Sequence, residues 1–243
     1  AYEISLGLVG SEMCIRDRPS GAEPPVSSLI FNGRVILSGV VSTFNLVTTD
    51  CVALTIALSF NTRISKHKCI MEGIENIKLE DIKIANQLGL RVKLLGISEI
   101  INGQLFETVH PSLVSKNTYI GNVSGVMNAV ITEGKPVGQS VLQGEGAGPG
   151  PTSSSLLADL LSILRGSTKY PFGISSNKRR SIKPFNNDNY TNSLYLRFEV
   201  NDKQGVLSLI TNRLAKYKIS VKRIIQTPDR KNKKATIVII THK

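Results

Sequence analysis

The stretch "VLQGEGAGPGPTSSSLLADLLSIL", Val141 to Leu164, constrains more than any other what this chain can become. Four glycines and two prolines stand between Gly144 and Pro151, and a leucine-rich run follows at once. That order reads as strand, turn, helix. Glycine lets the backbone approach a neighbour or a ligand closely, because no Cβ intervenes. A turn of this type before a helix N-terminus is a potential anion cradle, with free N–H groups and the positive dipole end aimed outward. Thr152 or Ser153 is expected to cap the helix. Leu156, Leu157, Leu160, Leu161 and Leu164 are expected to bury its inner face. The loop is not the GxGxxG fingerprint. Read from Gly144 or from Gly146, the third glycine is replaced by Pro149 or Pro151, and each proline removes an N–H donor. It therefore suits a contact to a nucleotide better than the main pyrophosphate site. On composition alone it reads equally as a tight turn whose glycines serve packing.

The flanking sequence supplies a sheet for this unit. "RVILSGVVSTFNLV" (Arg34 to Val47) is an apolar strand or irregular core segment, and "CVALTIALSF" (Cys51 to Phe60) is too short for periodicity to decide between helix and strand. "LEDIKIANQLG" reads as an amphipathic helix with Leu79, Ile82, Ala85 and Leu88 on one stripe, Glu80 and Asp81 in its first turn, and Gly89 ending it. A strand "RVKLLGIS" follows. Asn102-Gly103 signals a hairpin, and "QLFETVHPSLV" is the return strand, limited by Pro111. Two more strands, 129–132 and 137–142, flank a turn at Gly134-Lys135-Pro136. The expected class is α/β of the α+β type, a mixed β-sheet with helices on one face.

Periodicity is lost over 167–191, which reads as a linker rich in Pro, Gly, Ser and Asn. A second unit, 192–243, then shows strand, helix, strand, strand, with Val206, Leu209, Ile210, Leu214 and Tyr217 on one helix face. That is most of a ferredoxin-like βαββαβ module, and the C-terminus is expected to be truncated. Residues 1–18, "…SLGLVGSEMCIRDR", resemble translated sequencing adaptor and are set apart as a non-native tail.

The formal net charge is +12, and residues 178–243 carry all of the excess. The basic runs there lie in apparent loops with few aromatics to stack on bases, so they read as solvated charge rather than an RNA site. Cys14, Cys51 and Cys69 are odd in number and include no CxxC, and His67, His110 and His242 are scattered. Reduced thiols, a cytoplasmic setting and no metal site are expected. No apolar run is long enough to cross a membrane.

"GNVSGVMNAVITEGKPVGQSVLQGEGAGPGPTSSSLLADL" (Gly121 to Leu160) resembles homoserine dehydrogenase, with its GVMNAV strand and GxGAGxxPT loop. "EGIENIKLEDIKIANQLGLRVKLLG" and "VHPSLV" match the same family in the same order. The resemblance implies a catalytic and dimerisation domain over 69–166, preceded by a degraded part at 19–68. It implies NADP or NAD as cofactor, bound in part by Gly144, Gly146, Ala147, Gly148 and Thr152. It implies interconversion of L-homoserine and L-aspartate 4-semialdehyde in threonine, methionine and isoleucine biosynthesis, by a homodimer. The second unit resembles an ACT domain, which implies an amino-acid effector such as threonine at Asp202, Gly205, Val206 and Leu207.

The chain departs from the family where the catalytic Asp-x-x-x-Lys belongs. Asp50 is present, but Leu54 stands in the lysine's place, and Lys66 and Lys68 read as surface residues. No catalytic residue is assigned, and no Rossmann unit is present, so the polypeptide reads as a fragment inactive alone. Two other readings compete. One is an amino-acid-binding regulatory protein without catalysis, and the other an RNA-binding protein using the basic C-terminal third.

Overall fold

The computed structural model describes residues 2–9, 12–19, 33–38, 59–63, 70–146, 148–167, 175–229 and 232–243. The chain divides into two compact units, Ala1–Phe185 and Asn186–Lys243. The N-terminal tail set apart in the sequence carries an antiparallel hairpin, β1 (Tyr2–Val9) with β2 (Glu12–Pro19).

The frame of the first unit is a six-stranded sheet built around one long hairpin. Strand β5 (Leu90–Ile101) turns at Asn102 and Gly103, with φ of 50° and 76°, into β6 (Gln104–Ser115). Both central residues take positive φ, as a two-residue turn matched to strand twist requires. The two strands pair from Leu90↔Ser115 to Ile101↔Gln104. Pro111 does not end β6. It sits opposite Leu94 within the ladder, and the strand runs four residues further. β3 (Gly33–Ser38) lies between β5 and β7 (Met127–Gly134), and β8 (Gly138–Glu145) completes that side. β7 and β8 are longer than their apolar cores suggested. Val137 lies in the turn between them and is exposed. β4 (Ile70–Met71) pairs parallel with β6 while the other neighbours are antiparallel, so the sheet is mixed, in the order β4-β6-β5-β3-β7-β8.

Val35, Phe60, Leu105, Val109 and Val130 form a buried cluster on one face, with Leu94, Ile100, Leu142 and Ile182 packed against it. Burying a side chain of Phe60's size stabilises by about 1.5–3 kcal/mol. Ile182 comes from the stretch read as linker. That stretch lies along the outer edge of β6: Leu105 N–H donates to Lys183 O (2.8 Å), Phe185 N–H donates to Leu105 O (2.8 Å), and the Phe185 ring meets Phe106 edge-on at 6.0 Å. Thr62 pairs with Arg180 in the same way.

Helix α1 (Leu79–Gln87) forms where its periodicity placed it, and Gly89 ends it at φ 73°. Its buried residues are Asp81, Ile84 and Ala85, whereas Leu79 and Ile82 of the expected stripe are exposed. Asp81 turns inward because its carboxylate accepts the Lys78 backbone N–H at 2.8 Å, which caps the first turn. That capping contact sets the rotation of the helix.

The second unit is an antiparallel three-stranded sheet in the order β10-β11-β9, with β9 Tyr195–Asn201, β10 Val221–Asp229 and β11 Lys234–Thr241. The helix of this unit, Val206–Lys216, packs on it through a core of Leu214, Ile237 and Ile239. Val206, Leu207 and Ile210 join that core. Leu209 and Tyr217 do not, being 74 % and 66 % exposed. Leu209 lies over 90° around the helix from the buried face at 3.6 residues per turn. Tyr217 follows the last helical residue as its C-cap.

Candidate active site

The glycine loop, the start of β7 and the start of β5 come together at one end of the first sheet. Register fixes this placement. Ser38 faces Leu95 on one side and Ala129 on the other, and Met127 faces Glu145. Lys93 and Met127 therefore lie in the next rows toward the end where β8 runs into the loop.

A short helix, α2 (Tyr119–Asn122), delivers the chain into β7. Thr118 Oγ1 accepts from Gly121 N–H (3.2 Å) and donates to Ser115 O (2.7 Å), which folds the connection tightly. Two cations of β5 secure it. Arg91 Nη1 donates to Gly121 O at 2.9 Å, and Lys93 Nζ donates to Val123 O. Burial, and secondarily the Arg91 charge, holds the Lys93 ammonium below its ordinary pKa.

The four glycines of the loop prove unlike one another. Gly146 is buried, its N–H donates to Val126 O (2.8 Å), and a Cβ there would stand 1.4 Å from Asn128 Nδ2. Gly148 holds φ 120° and ψ 162°, a backbone state open in practice to glycine alone. Gly144 and Gly150 face open space, where a Cβ would meet nothing within 4 Å. One glycine thus serves packing, one serves the bend, and two leave backbone bare toward solvent.

The bend feeds α3 (Pro149–Leu164), and here two expectations fail. Neither Thr152 nor Ser153 caps the helix. Gly148 is the N-cap residue, Thr152 N–H already bonds Gly148 O (3.2 Å), and Ser153 Oγ donates to Pro149 O (2.6 Å). The prolines open the helix four residues earlier than a Thr152 cap would, since their fixed φ suits the first turn. The leucines are also not an inner face. Leu156, Leu157, Leu160, Leu161 and Leu164 are all exposed, and the buried residues are Ser155 and Ser162. Those serines satisfy their hydroxyls on Pro151 O (3.0 Å) and Ala158 O (2.7 Å), so a small-residue side is turned inward at no polar cost. Strand β1 lies against this helix.

Among the residues expected to touch a cofactor, Gly144, Gly146, Gly148 and Thr152 stand together at this bend, while Ala147 lies outside the described residues. So do Asp50, Leu54, Lys66 and Lys68. Among the described residues of the first helical turn, Gly150 alone brings an N–H not already spent on the helix. One donor is too few for a diphosphate. Bare backbone at Gly144 and Gly150 fits a flat, uncharged portion of a dinucleotide. Asn128, Arg91 and Lys93 were not singled out in the sequence. A polar residue in the apolar strand "VMNAV", opposite a glycine, is the signal that marks Asn128.

His110 lies elsewhere, on β6. Its Nδ1 is 3.0 Å from Thr108 Oγ1, which in turn donates to Ile70 O at 3.3 Å and helps hold β4. In the second unit Asp202 and Gly205 share the turn into the helix. Asp202 N–H donates to Lys233 O (2.9 Å), Gly205 is the N-cap residue at φ 87°, and Val206 and Leu207 are spent on the core. Among the described residues no cluster of His, Cys, Asp or Glu is arranged to hold a metal ion, and no helix is long and apolar enough to cross a membrane.

A family model for homoserine dehydrogenase matches residues 48–161. The chain is similar to homoserine dehydrogenase of Neisseria gonorrhoeae, 35 % identical over 199 residues, which takes in 79 % of this chain and 45 % of that protein. It is 31 % identical over 186 residues to homoserine dehydrogenase of Helicobacter pylori, taking in 76 % of this chain and 44 % of the relative. The crystal structure of a homoserine dehydrogenase from Thiobacillus denitrificans superposes with a TM-score of 0.70 at 28 % identity, over 81 % of this chain and 46 % of that one. The chain spans less than half the length of the curated relatives it matches.

Proposed function

We propose that this chain, which matches the homoserine dehydrogenase family model over residues 48–161 and is 35 % identical to the Neisseria gonorrhoeae relative, carries the sheet and cofactor-facing loop of an enzyme interconverting L-homoserine and L-aspartate 4-semialdehyde. The observation that carries the proposal is the division of labour among the loop glycines, with Gly146 and Gly148 shaping a bend that leaves Gly144 and Gly150 bare. NAD or NADP, when bound, accepts the hydride from the alcohol carbon or returns it to the aldehyde. The chain's own part is to offer flat backbone to the cofactor at Gly144 and Gly148–Gly150, to seat Thr152 beside it, and to keep the bend in place through Asn128. Arg91 and Lys93 hold the Gly121–Val123 connection and so fix the start of β7.

Leu54 stands where the resemblance implies a lysine that gives its proton to the developing alkoxide. The polypeptide by itself is therefore expected not to turn over. A graft tests the proposal: residues 70–166 replace the corresponding segment of the Neisseria gonorrhoeae relative, whose own upstream residues stay in place. Homoserine-dependent reduction of NADP should survive in the graft and vanish with Gly146→Val. A folded graft without activity refutes the reading.

The second unit is proposed as a regulatory module of the ACT type. Its strand, helix, strand, strand order and β10-β11-β9 arrangement are those of the first four elements of a ferredoxin-like fold. An amino-acid effector such as threonine would meet the Asp202–Gly205 turn. Calorimetry with threonine on the whole chain checks this, and no heat above dilution rejects it. A homodimer in the cytoplasm belongs to the same proposal.

A further inference from the structure

The bend that follows β8 is tied to a turn on the neighbouring stretch of chain. After α2 the backbone turns over Ser124–Met127, with Gly125 at φ 61° and Met127 N–H donating to Ser124 O (3.3 Å). One side of this turn carries the bend, since Gly146 N–H donates to Val126 O (2.8 Å). The other side is tied to the sheet, since Lys93 Nζ of β5 donates to Val123 O. Asn128, just past the turn, occupies the space where a Gly146 Cβ would stand. A shift of Val123 therefore reaches Gly146 through one short turn and one hydrogen bond.

The tie uses a charged donor, and the charge has a cost. Lys93 and Arg91 lie two residues apart on β5, hence on one face. They bond Val123 O and Gly121 O, which are two residues apart as well. Burial and then the Arg91 charge both disfavour the Lys93 ammonium, and its pKa is lowered. A neutral donor would satisfy the Val123 carbonyl too. A charged donor makes the stronger bond and holds the carbonyl in one place. Lys116 offers the contrast. Its Nζ bonds Asn86 O (3.1 Å) at the last turn of α1, in an exposed setting.

We propose that Lys93 is a positioning residue for the coenzyme-facing bend. Through Val123 and the turn it fixes where Gly146 stands, and so where the bare backbone at Gly144 and Gly148–Gly150 is presented. This rests on the reading of that bend as the coenzyme contact. Lys93 touches no reacting atom in this role. Its loss loosens the hold on coenzyme and leaves the hold on the amino-acid substrate in place. Arg91 acts one step earlier, on the α2 end of the connection.

Two measurements test this. The first is amide hydrogen exchange on the whole chain. Lys93→Met keeps the apolar stem and removes the donors. It should speed exchange of the Gly146 amide by roughly tenfold and leave the β5–β6 ladder unchanged. Lys93→Arg restores a charged donor and should recover the slow exchange. Lys116→Met, which removes the same kind of bond elsewhere, should leave Gly146 unchanged. The second uses the graft of residues 70–166 described above. There Lys93→Met should raise the KM for NADP by roughly tenfold, with kcat and the KM for homoserine within about twofold. Unchanged exchange at Gly146, or equal speeding along β5 and β6, overturns the proposal. An active graft whose NADP KM ignores Lys93→Met overturns it as well. A folded parent graft without activity strikes the coenzyme reading itself, and the two failures are thereby told apart.

Discussion

An alanine at position 146 would press its methyl carbon into the Asn128 amide, since the two cannot share one space. Gly146→Ala is therefore expected to cost about 1–3 kcal/mol, as overpacking does. Asn128→Ala made in the same chain should recover most of that loss, because it empties the contested volume. Urea midpoints of the two single variants and the double variant check the coupling. His110 gives a second expectation. Burial holds its imidazole below the ordinary pKa, and the Glu72 carboxylate only partly opposes this. The unfolded chain then takes up the proton before the folded one does. Stability is whole above about pH 6.5 and falls as pH drops through and below that value. His110→Gln should flatten this slope in urea midpoints measured across the range. Gly146 was legible in the sequence as a place of close approach, but not as the one glycine committed to a neighbour. That distinction depends on Asn128, which the register brings opposite Gly144 across β7 and β8.

At the scale of elements, boundaries were easier to read than faces. Gly89 and Asn102-Gly103 mark ends through local backbone chemistry, and the chain turns at both, whereas α3 starts at Pro149, ahead of the expected Thr152 or Ser153 cap. Which side of a helix is buried depends instead on what the rest of the chain brings to it. α1 is rotated by Asp81 at its capped end, and α3 turns Ser155 and Ser162 inward while its leucines face out. Leucine content alone points the other way. β6 likewise continues past Pro111, because a proline is tolerated where its missing N–H is not needed. The exposed row on α3 makes a direct prediction. Leu157→Ser together with Leu161→Ser should change thermal stability little, within about 0.5 kcal/mol per site. The same pair should reduce binding of a dye that reports exposed apolar surface. A large loss of stability would mean that these leucines are covered.

At the scale of the whole molecule, the two units own separate cores. Leu214, Ile237 and Ile239 close the second, while Val35, Phe60, Leu105, Val109 and Val130 close a cluster in the first. Ile239→Ala should cost about 2–5 kcal/mol within the second unit. Amide hydrogen exchange should then speed up across Tyr195–Thr241 and stay unchanged along β5 and β6. The boundary between the units, after Phe185, falls within the stretch 167–191 where periodicity is lost. The reach of the first unit was not legible, because Ile182 and Phe185 look like isolated apolar residues until β6 is beside them. Their attachment has a mechanical consequence. Phe185 is the last residue of the first unit, and the backbone bonds of Leu105 clasp it to the sheet. A molecule anchored near β5 and pulled by Lys243 in an optical trap would meet this clasp on the way to the hairpin, so tearing should begin at Leu105 and register as a small early step.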